Sequence, residues 1–296
     1  MMIQLLENKA INRIAWDKCI AKSKNEMPYA YTWFLDMVSP CWSALVWGDY
    51  DYVMPLPIKR KWGLRYIAQP FFTQQLGIFS EKEVTLDIVN LFIKAIPCRN
   101  VLMNLNEKNY FERGITCPNH VLNLFDNYET LFEKFSTNTK RNLKKKTELE
   151  ITINEQVLVA DFLELCEKQS FWRPKFRLIA EKIINAAIKN DIGQIVGIIT
   201  IDGELLSACF LLKSSHRIIY HIAASTERGK SNFAMYHLVN YLVKKYAGNN
   251  LLFDFEGSKV DGIARFYRSF GAEKVDYYRV EKGFLVSLLK LNAFKK

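Results

Sequence analysis

The chain has 296 residues, and because domains usually hold about 100–200 residues, this length predicts two of them. Hydrophobic residues make up 49% and charged residues 24%, a composition typical of a globular protein that argues against a disordered chain. The longest apolar runs fall far short of the ~20 residues that cross a bilayer, so no membrane span is expected. The first residues carry no export signal, which predicts a cytoplasmic protein.

Six cysteines lie far apart, at positions 19, 41, 98, 117, 166 and 209. No two form a Cys-x-x-Cys pair, so reduced and partly buried thiols are the favoured interpretation. The histidines His216, His221 and His237 are not spaced as a metal-binding set, and we expect no metal ion. The sequence leaves a dispersed metal site or a nucleophilic thiol open, although no spacing indicates one.

The net charge of +10 is unevenly distributed along the chain. Residues 1–128 hold 14 Lys and Arg against 12 Asp and Glu, whereas residues 129–296 hold 27 against 19. The second half is therefore the better candidate for an anionic partner.

The first half predicts its elements in the order strand, helix, short helix, three strands, helix and strand. The predicted strands are Ile3–Leu6, Ser43–Trp47, Tyr52–Ile58, Leu64–Ala68 and Asn100–Leu105, and the longer helices are Ile11–Ala21 and Glu81–Ile96. Pro55 and Pro57 place their strand at an edge or a bend, because proline donates no main-chain hydrogen bond.

A strong helix is predicted over Glu129–Thr147, and the seven residues from Lys140 to Lys146 include five basic ones. A solvated helix face is the common explanation of such a run. A phosphate or nucleic-acid contact is the sharper explanation. Cations also suit the C-terminal end of a helix dipole, so part of the clustering needs no ligand.

The second half repeats the element order of the first more completely. Its predicted strands are Leu149–Asn154, Gln194–Ile201, Leu205–Lys213, Arg217–Ala224, Asn250–Phe255 and Lys274–Val280. The helix after the fourth strand has an apolar stripe of Met235, Leu238, Val239, Leu242 and Tyr246. A second helix is predicted over Asp261–Phe270. The two halves indicate an internal duplication in an α+β protein.

A polar turn, residues 225–232, joins the fourth strand to the striped helix and contains Gly229. A strand that enters a helix in this way leaves the first helix N–H groups free, and the helix dipole adds partial positive charge. With Arg228 and Lys230, the turn is a candidate site for a phosphate or pyrophosphate. A surface connection whose charges meet only water is an equally weighted alternative.

The element order and two local motifs resemble the GNAT acyltransferase superfamily. The segment Thr226-Glu-Arg-Gly-Lys-Ser231 is similar to its acyl-CoA pyrophosphate loop, Arg/Gln-x-x-Gly-x-Gly/Ala, with Gly229 at the shared glycine. The segment Ala264-Arg-Phe-Tyr-Arg-Ser-Phe-Gly-Ala272 is similar to its Leu-Tyr-x-x-x-Gly-Phe segment. The residues around the basic run and Phe253-Asp-Phe-Glu-Gly-Ser258 look more like the Fem-type branch, in which two GNAT folds are fused.

The resemblance implies two tandem GNAT-like domains, each a mixed, mostly antiparallel sheet flanked by helices. Residues 1–128 would be a degenerate copy, and residues 129–296 a complete copy with the donor site. The implied co-substrate is acetyl-CoA or another acyl-CoA, and the implied acceptor is an amine. The resemblance puts Tyr267 at the general-acid position. It implies that the co-substrate is bound by Ile222, Ala223, Arg228, Gly229, Lys230, Ser231 and Asn232.

Asp254 and Glu256 share a face of the fifth predicted strand, since residues two apart in a strand point the same way. Two acids on an otherwise apolar strand make either one a candidate general base for an amine. The alternative is a pair of acids satisfied by the basic residues around them.

The sequence leaves three functions open. The first is an N-acyltransferase that moves an acyl group from acyl-CoA to an amine. The second is a Fem-type peptidyltransferase acting on a cell-wall precursor, with aminoacyl-tRNA as partner, which the basic run favours. The third is a non-catalytic binding module on a GNAT scaffold. Neither the acceptor nor the oligomeric state is predicted.

Overall fold

The computed structural model describes residues 2–61, 63–145, 149–257 and 260–284. Contacts between Cα atoms divide these residues into two compact units. The first unit comprises residues 2–118 and 275–284, and the second comprises residues 119–274. The sequence predicts a single boundary between residues 128 and 129, whereas the chain enters the second unit earlier and leaves it at residue 275.

The described residues form 13 strands and 10 α-helices. The strands are β1 (Gln4–Leu6), β2 (Ser43–Trp47), β3 (Tyr52–Leu56), β4 (Ile58–Lys61), β5 (Leu64–Ala68), β6 (Asn100–Asn104), β7 (Ile115–Asn123), β8 (Ile151–Asn154), β9 (Gly193–Thr200), β10 (Leu205–Lys213), β11 (Arg217–Ser225), β12 (Leu252–Asp254) and β13 (Glu273–Lys282). The α-helices are α1 (Arg13–Lys22), α2 (Thr32–Val38), α3 (Leu86–Ala95), α4 (Tyr128–Glu133), α5 (Thr137–Lys144), α6 (Val159–Glu167), α7 (Pro174–Lys189), α8 (Glu227–Ser231), α9 (Ala234–Tyr246) and α10 (Asp261–Arg268).

In the first unit, β1, β2 and β3 form an antiparallel sheet in that order. The strands β4, β5, β6 and β13 of this unit are neighbours, in that order, in the ten-stranded sheet of the described residues. Among them β5 and β6 run parallel and the other neighbours antiparallel. The sequence predicts one strand over Tyr52–Ile58, but Pro57 divides it. Because proline cannot donate to a strand ladder, β3 ends there and β4 begins in the other sheet.

In the second unit the strand order is β7, β12, β11, β10, β9 and β8. Strands β8 to β11 are antiparallel neighbours, whereas β11 and β12 run parallel. The stripe of α9 packs into the core of this unit, where Leu238, Val239 and Leu242 are fully buried in one cluster with Phe253 and Phe255. Burial of each such side chain contributes ~1.5–3 kcal/mol, so packing holds α9 against the sheet.

The predicted helix over Glu129–Thr147 is wrong in the described residues, which form the two helices α4 and α5. Ser136 separates them, because its Oγ accepts a hydrogen bond from Thr139 N and so begins a new helix. The N–H of Ser136 donates to Ser269 O instead of continuing α4. A tertiary contact and a cap together therefore override the helical pattern.

Lys146, the last residue of the basic run, and Thr147, the last of the predicted helix, lie outside the described residues. Helix α5 ends at Lys144, and Lys145 is its C-cap. None of the described helices is both long and apolar enough to cross a bilayer.

Candidate active site

Strands β11 and β12 begin side by side and then separate. Their parallel register pairs Arg217 with Leu252 and ends at Ile219 with Asp254. Beyond that point β11 stays paired with β10 as far as Ser225, while Phe255 N donates to His120 O beside β7. β11 therefore stays with β10, while the residue after β12 bonds to β7. Beyond Ile219, the edge of β11 that faced β12 has no strand partner among the described residues.

A β-bulge lies on β11 where the strands separate. Phe210 pairs with Ile222, but Leu211 pairs with Tyr220, so His221 is an extra residue in the ladder. A bulge bends its strand and increases the local twist. The bend occurs next to the last residue that β11 pairs with β12.

A cavity of about 360 Å³ opens between the free part of β11 and the helices α8, α9 and α10. We call it the β11 cavity. Four residues proposed from the sequence line it, namely Ala223, Gly229, Lys230 and Tyr267. Gln169, Met235 and Phe266 are among the other lining residues, and the sequence did not single them out as site residues. Its volume lies in the range of small-molecule sites.

The predicted polar turn between β11 and α9 is a short helix, α8. Thr226 begins it, because its Oγ1 accepts a hydrogen bond of 2.9 Å from Gly229 N. The position of Gly229 is fixed by packing: a Cβ there would lie 2.2 Å from Leu206 O of β10. Glycine therefore lets α8 approach the backbone of β10.

Free helix N–H groups also occur one turn beyond the predicted amides of Ser231 and Asn232. The N–H of Asn232 donates to Arg228 O within α8, and the Ser231 hydroxyl donates to the carbonyl groups of Glu227 and Arg228. Among the described residues, Ala234 N and Met235 N at the start of α9 have no hydrogen-bond acceptor. They lie beside the β11 cavity, because Met235 lines it.

Phe233, which precedes these two amides, has a left-handed backbone with φ of 56°. A residue with a side chain pays about 1–2 kcal/mol for that conformation. Its ring lines the β11 cavity. The left-handed conformation of Phe233 turns the chain between α8 and α9. This turn places the free N–H groups of Ala234 and Met235 beside the β11 cavity.

Both cations of the segment form surface ion pairs. Arg228 Nη1 pairs with Glu204 Oε2, and Lys230 Nζ lies 2.6 Å from Glu227 Oε1. Exposed pairs of this kind are worth about 0–1 kcal/mol, so a phosphate could replace either acid at small cost.

Tyr267 closes the β11 cavity beside the end of β12. Its ring centroid lies 4.8 Å from that of Phe255, and the two rings are stacked. Burial raises the pKa of Tyr267, and the charges of Glu256 and Asp254 raise it further. The phenol therefore stays protonated near neutral pH and can donate a hydrogen bond into the cavity.

The Asp254 carboxylate is engaged by three hydrogen-bond donors. Asn119 Nδ2 donates to its Oδ1 at 3.0 Å, and Glu256 N donates to the same oxygen at 2.8 Å. Arg217 Nη1 donates to Oδ2. Asp254 is buried with these partners, which matches the alternative that the sequence left open for it.

Glu256 is placed differently from Asp254. The strand β12 ends at Asp254, and Glu256 has a left-handed backbone with φ of 59°, so the two acids do not continue one strand. Glu256 Oε1 lies 3.3 Å from Nδ1 of His221, the bulge residue. Strained backbone of this kind concentrates at functional sites. Of the two acids, Glu256 has the geometry that suits a proton acceptor.

His120 belongs to this region, although the sequence analysis passed over it. It is buried on β7, and its ring centroid lies 6.0 Å from that of Tyr267. Neither ring nitrogen has a hydrogen-bond partner among the described residues. Burial lowers the pKa of His120, and the charges of Arg268 and Lys274 lower it further. His120 directly precedes the apolar residues Val121 and Leu122, which was the available signal.

No protein-family model matches the sequence, and no curated protein matches it. Solved structures match over nearly the whole chain. FemX is similar over 97% of this chain and 99% of its own length, with a TM-score of 0.65 and 12% identity. A tandem GNAT protein from the clavulanic acid biosynthesis pathway is similar over 95% and 99%, with a TM-score of 0.50 and 8% identity. The fold is that of two fused GNAT domains.

A third solved structure, L-PGS from Bacillus licheniformis, is similar over 85% of this chain and 88% of its own, with a TM-score of 0.52 and 8% identity. The predicted α+β class with tandem GNAT-like domains is confirmed. Identities this low show a shared fold, and one fold hosts many functions. The function is therefore argued from the residues of the β11 cavity and from Arg228 and Glu256, which are not among its lining residues.

Proposed function

We propose that this protein is an N-acyltransferase that moves an acyl group from acyl-CoA to an amine. The observation that supports this most is the β11 cavity, which opens where β11 leaves β12 and is bordered by Lys230 and Tyr267. An extended pantetheine arm could pair with the free edge of β11 near Ile222 and Ala223, as a neighbouring strand would.

The diphosphate of the donor would lie at the start of α9. The free N–H groups of Ala234 and Met235 supply hydrogen-bond donors, and the helix dipole adds partial positive charge. Arg228 and Lys230 would exchange their surface carboxylates for phosphate oxygens. Charge-assisted bonds to phosphate are stronger than the exposed pairs that they replace.

The chemistry needs a proton acceptor for the amine and a partner for the leaving thiolate. As the amine nitrogen bonds to the thioester carbon and the carbon–sulfur bond breaks, Glu256 would accept the ammonium proton. Tyr267 would donate a hydrogen bond to the thiolate. An ordinary thiol has a pKa of about 8.5, below the raised pKa of Tyr267, so stabilisation by a hydrogen bond is favoured over full proton transfer.

Calorimetry with CoA and acetyl-CoA tests the donor. We expect one site per chain and an affinity at least about tenfold weaker in Arg228→Glu. Arg177→Glu is the matched control, because Arg177 also forms an exposed ion pair, with Glu167 at 2.7 Å, but lies on α7, outside the segment that joins β11 to α9. Absence of CoA binding, or equal effects of both variants, would overturn the donor assignment. CoA binding without turnover of any amine would favour the non-catalytic module.

One observation favours aminoacyl-tRNA as an alternative donor. Lys145, at the end of the basic helix α5, lies with its Nζ 4.6 Å from the centroid of the Phe233 ring, which lines the β11 cavity. The described part of the basic run thus reaches the proposed donor site. Salt-sensitive tRNA binding that Lys144→Glu weakens, together with no CoA binding, would decide for this alternative.

A further inference from the structure

The first unit contains another cavity, of about 850 Å³, which the proposed function does not use. We call it the basic cavity. It lies between the residues that follow β1, the residues before β2 and the β4–β5 hairpin. Four cations line it, Lys9, Lys59, Arg60 and Arg65, against the single acid Glu7. The wall therefore carries a strong excess of positive charge.

Two of these cations face each other across the hairpin. Arg60 on β4 pairs in register with Arg65 on β5. Like charges at directly opposed positions destabilise an antiparallel pair. An anion between the two guanidinium groups would remove that repulsion, since each guanidinium presents several N–H donors to oxygen atoms.

The protein itself does not neutralise these groups. Lys9, Arg60 and Arg65 form no ion pair with an acid among the described residues, whereas Arg228 and Lys230 in the segment between β11 and α9 both do. Asn8, which also lines the basic cavity, provides a second observation that indicates a bound ligand. Its Nδ2 is buried and has no acceptor within the described part of the chain. A buried donor without a partner costs about 1–3 kcal/mol.

We propose that the basic cavity binds a small molecule that carries a diphosphate or triphosphate. Phosphate oxygens would bridge Arg60 and Arg65, and Lys9 would add a third charge-assisted contact. The volume favours a small molecule, because ligand pockets commonly measure about 300–1,000 Å³ and bury most of their ligand. This proposal does not depend on the transferase assignment.

Protection of a strand edge is the competing explanation. Strand β4 lies at the edge of its sheet, and cations on edge strands prevent aggregation. That role requires charge on β4 alone. It accounts neither for Lys9, which follows β1, nor for the buried Asn8 amide.

Cys41 provides a local readout, because it lines the basic cavity and is an exposed free thiol. We would measure its alkylation by iodoacetamide, a neutral reagent, by peptide mass spectrometry against increasing concentrations of inorganic pyrophosphate. Sodium chloride at equal ionic strength is the control for screening. We expect saturable protection by pyrophosphate and none by chloride.

Arg60→Glu separates binding from folding. It puts an acid opposite Arg65, which should stabilise the hairpin while removing one phosphate contact. We expect the pyrophosphate concentration for half protection to rise about tenfold or more in this variant. Arg113→Glu, an exposed arginine of the same unit outside the basic cavity, should leave it unchanged. Arg228→Glu should also leave it unchanged, which separates this test from the donor site.

Three results would overturn the proposal. They are no protection by pyrophosphate, equal protection in wild type and Arg60→Glu, and aggregation of Arg60→Glu with undiminished protection, which would mean an edge-protecting role only. Vesicles of phosphatidylglycerol, with vesicles of phosphatidylcholine as the control, test whether the basic cavity binds a lipid surface. Protection by the anionic vesicles without protection by pyrophosphate would mean a lipid surface and would also reject the small-molecule ligand.

Discussion

Arg217 on β11 and Asp254 on β12 form an ion pair inside the sheet of the second unit, with side chains only 5% and 3% exposed. The pair lies just where the two strands are still in register, since Arg217 opposes Leu252 and Asp254 opposes Ile219. It therefore ties β11 to β12 directly before they separate. We interpret it as the anchor of the β11 cavity.

Replacing this acid should cost stability. Asp254→Asn takes the negative charge of Asp254 away from the buried guanidinium of Arg217, so we expect the free energy of unfolding to fall by about 3–5 kcal/mol. Urea denaturation measures this. Asp161→Asn, at an exposed position in the first turn of α6, should cost less than about 1 kcal/mol. An equally small loss in Asp254→Asn would mean that the pair does not anchor the strands.

Replacing Glu256, unlike replacing Asp254, should lower the rate of acyl transfer without lowering stability. Glu256→Gly relieves a left-handed backbone, so stability should stay unchanged or rise by up to about 1 kcal/mol. The rate of acyl transfer should fall about 10²–10⁴-fold if Glu256 is the base. Glu256→Gln should lose the same rate without the gain in stability. A glycine variant that keeps its rate would place the base elsewhere.

Gly229 should tolerate no side chain. A Cβ at Gly229 would lie 2.2 Å from Leu206 O, a backbone atom that cannot move cheaply, so Gly229→Ala should destabilise by about 1–3 kcal/mol and weaken CoA binding. Gly262→Ala is the control for stability alone, because a Cβ there meets open space within helix α10, although Gly262 also lines the β11 cavity. It should stabilise by up to about 1 kcal/mol. Thermal unfolding compares the two variants and calorimetry measures CoA binding to Gly229→Ala, and equal stabilities would contradict the packing argument.

Because of His120, the free energy of unfolding should decrease as the pH falls. Its pKa is lowered in the folded protein, so below about pH 6.5 the unfolded chain binds a proton that the folded chain does not. Unfolding is then favoured increasingly as the pH falls from about 6.5 toward the lowered pKa. His120→Gln should flatten this part of the stability curve, measured by urea denaturation at several pH values. A slope unaltered in His120→Gln would reject this role.

The fold was largely predictable because its signals are local. The apolar stripe of α9 and the apolar runs of β9 to β11 report burial directly, and the structure buries Leu238, Val239 and Leu242 as the spacing predicts. The break at Ser136 was not predictable from the helical pattern. It depends on Ser269, which is far away in the sequence.

The candidate site was predictable in outline and less so in detail. Gly229, Lys230 and Tyr267 do come together at one cavity. The state of Asp254 depends on Asn119, 135 residues away, and no local pattern reports such a contact. The free amides fall at Ala234 and Met235 because Thr226 caps an additional helix, a choice that depends on how α8 packs against Leu206.

The parting of β11 from β12 has a consequence for how this protein can change over time. An unpaired main-chain edge offers the same N–H and C=O groups whatever side chains flank it. Substitutions along residues 220–225 can therefore accumulate while a guest chain is still accommodated, unless one of them is a proline or closes the gap. The feature that must be conserved is the gap between β11 and β12.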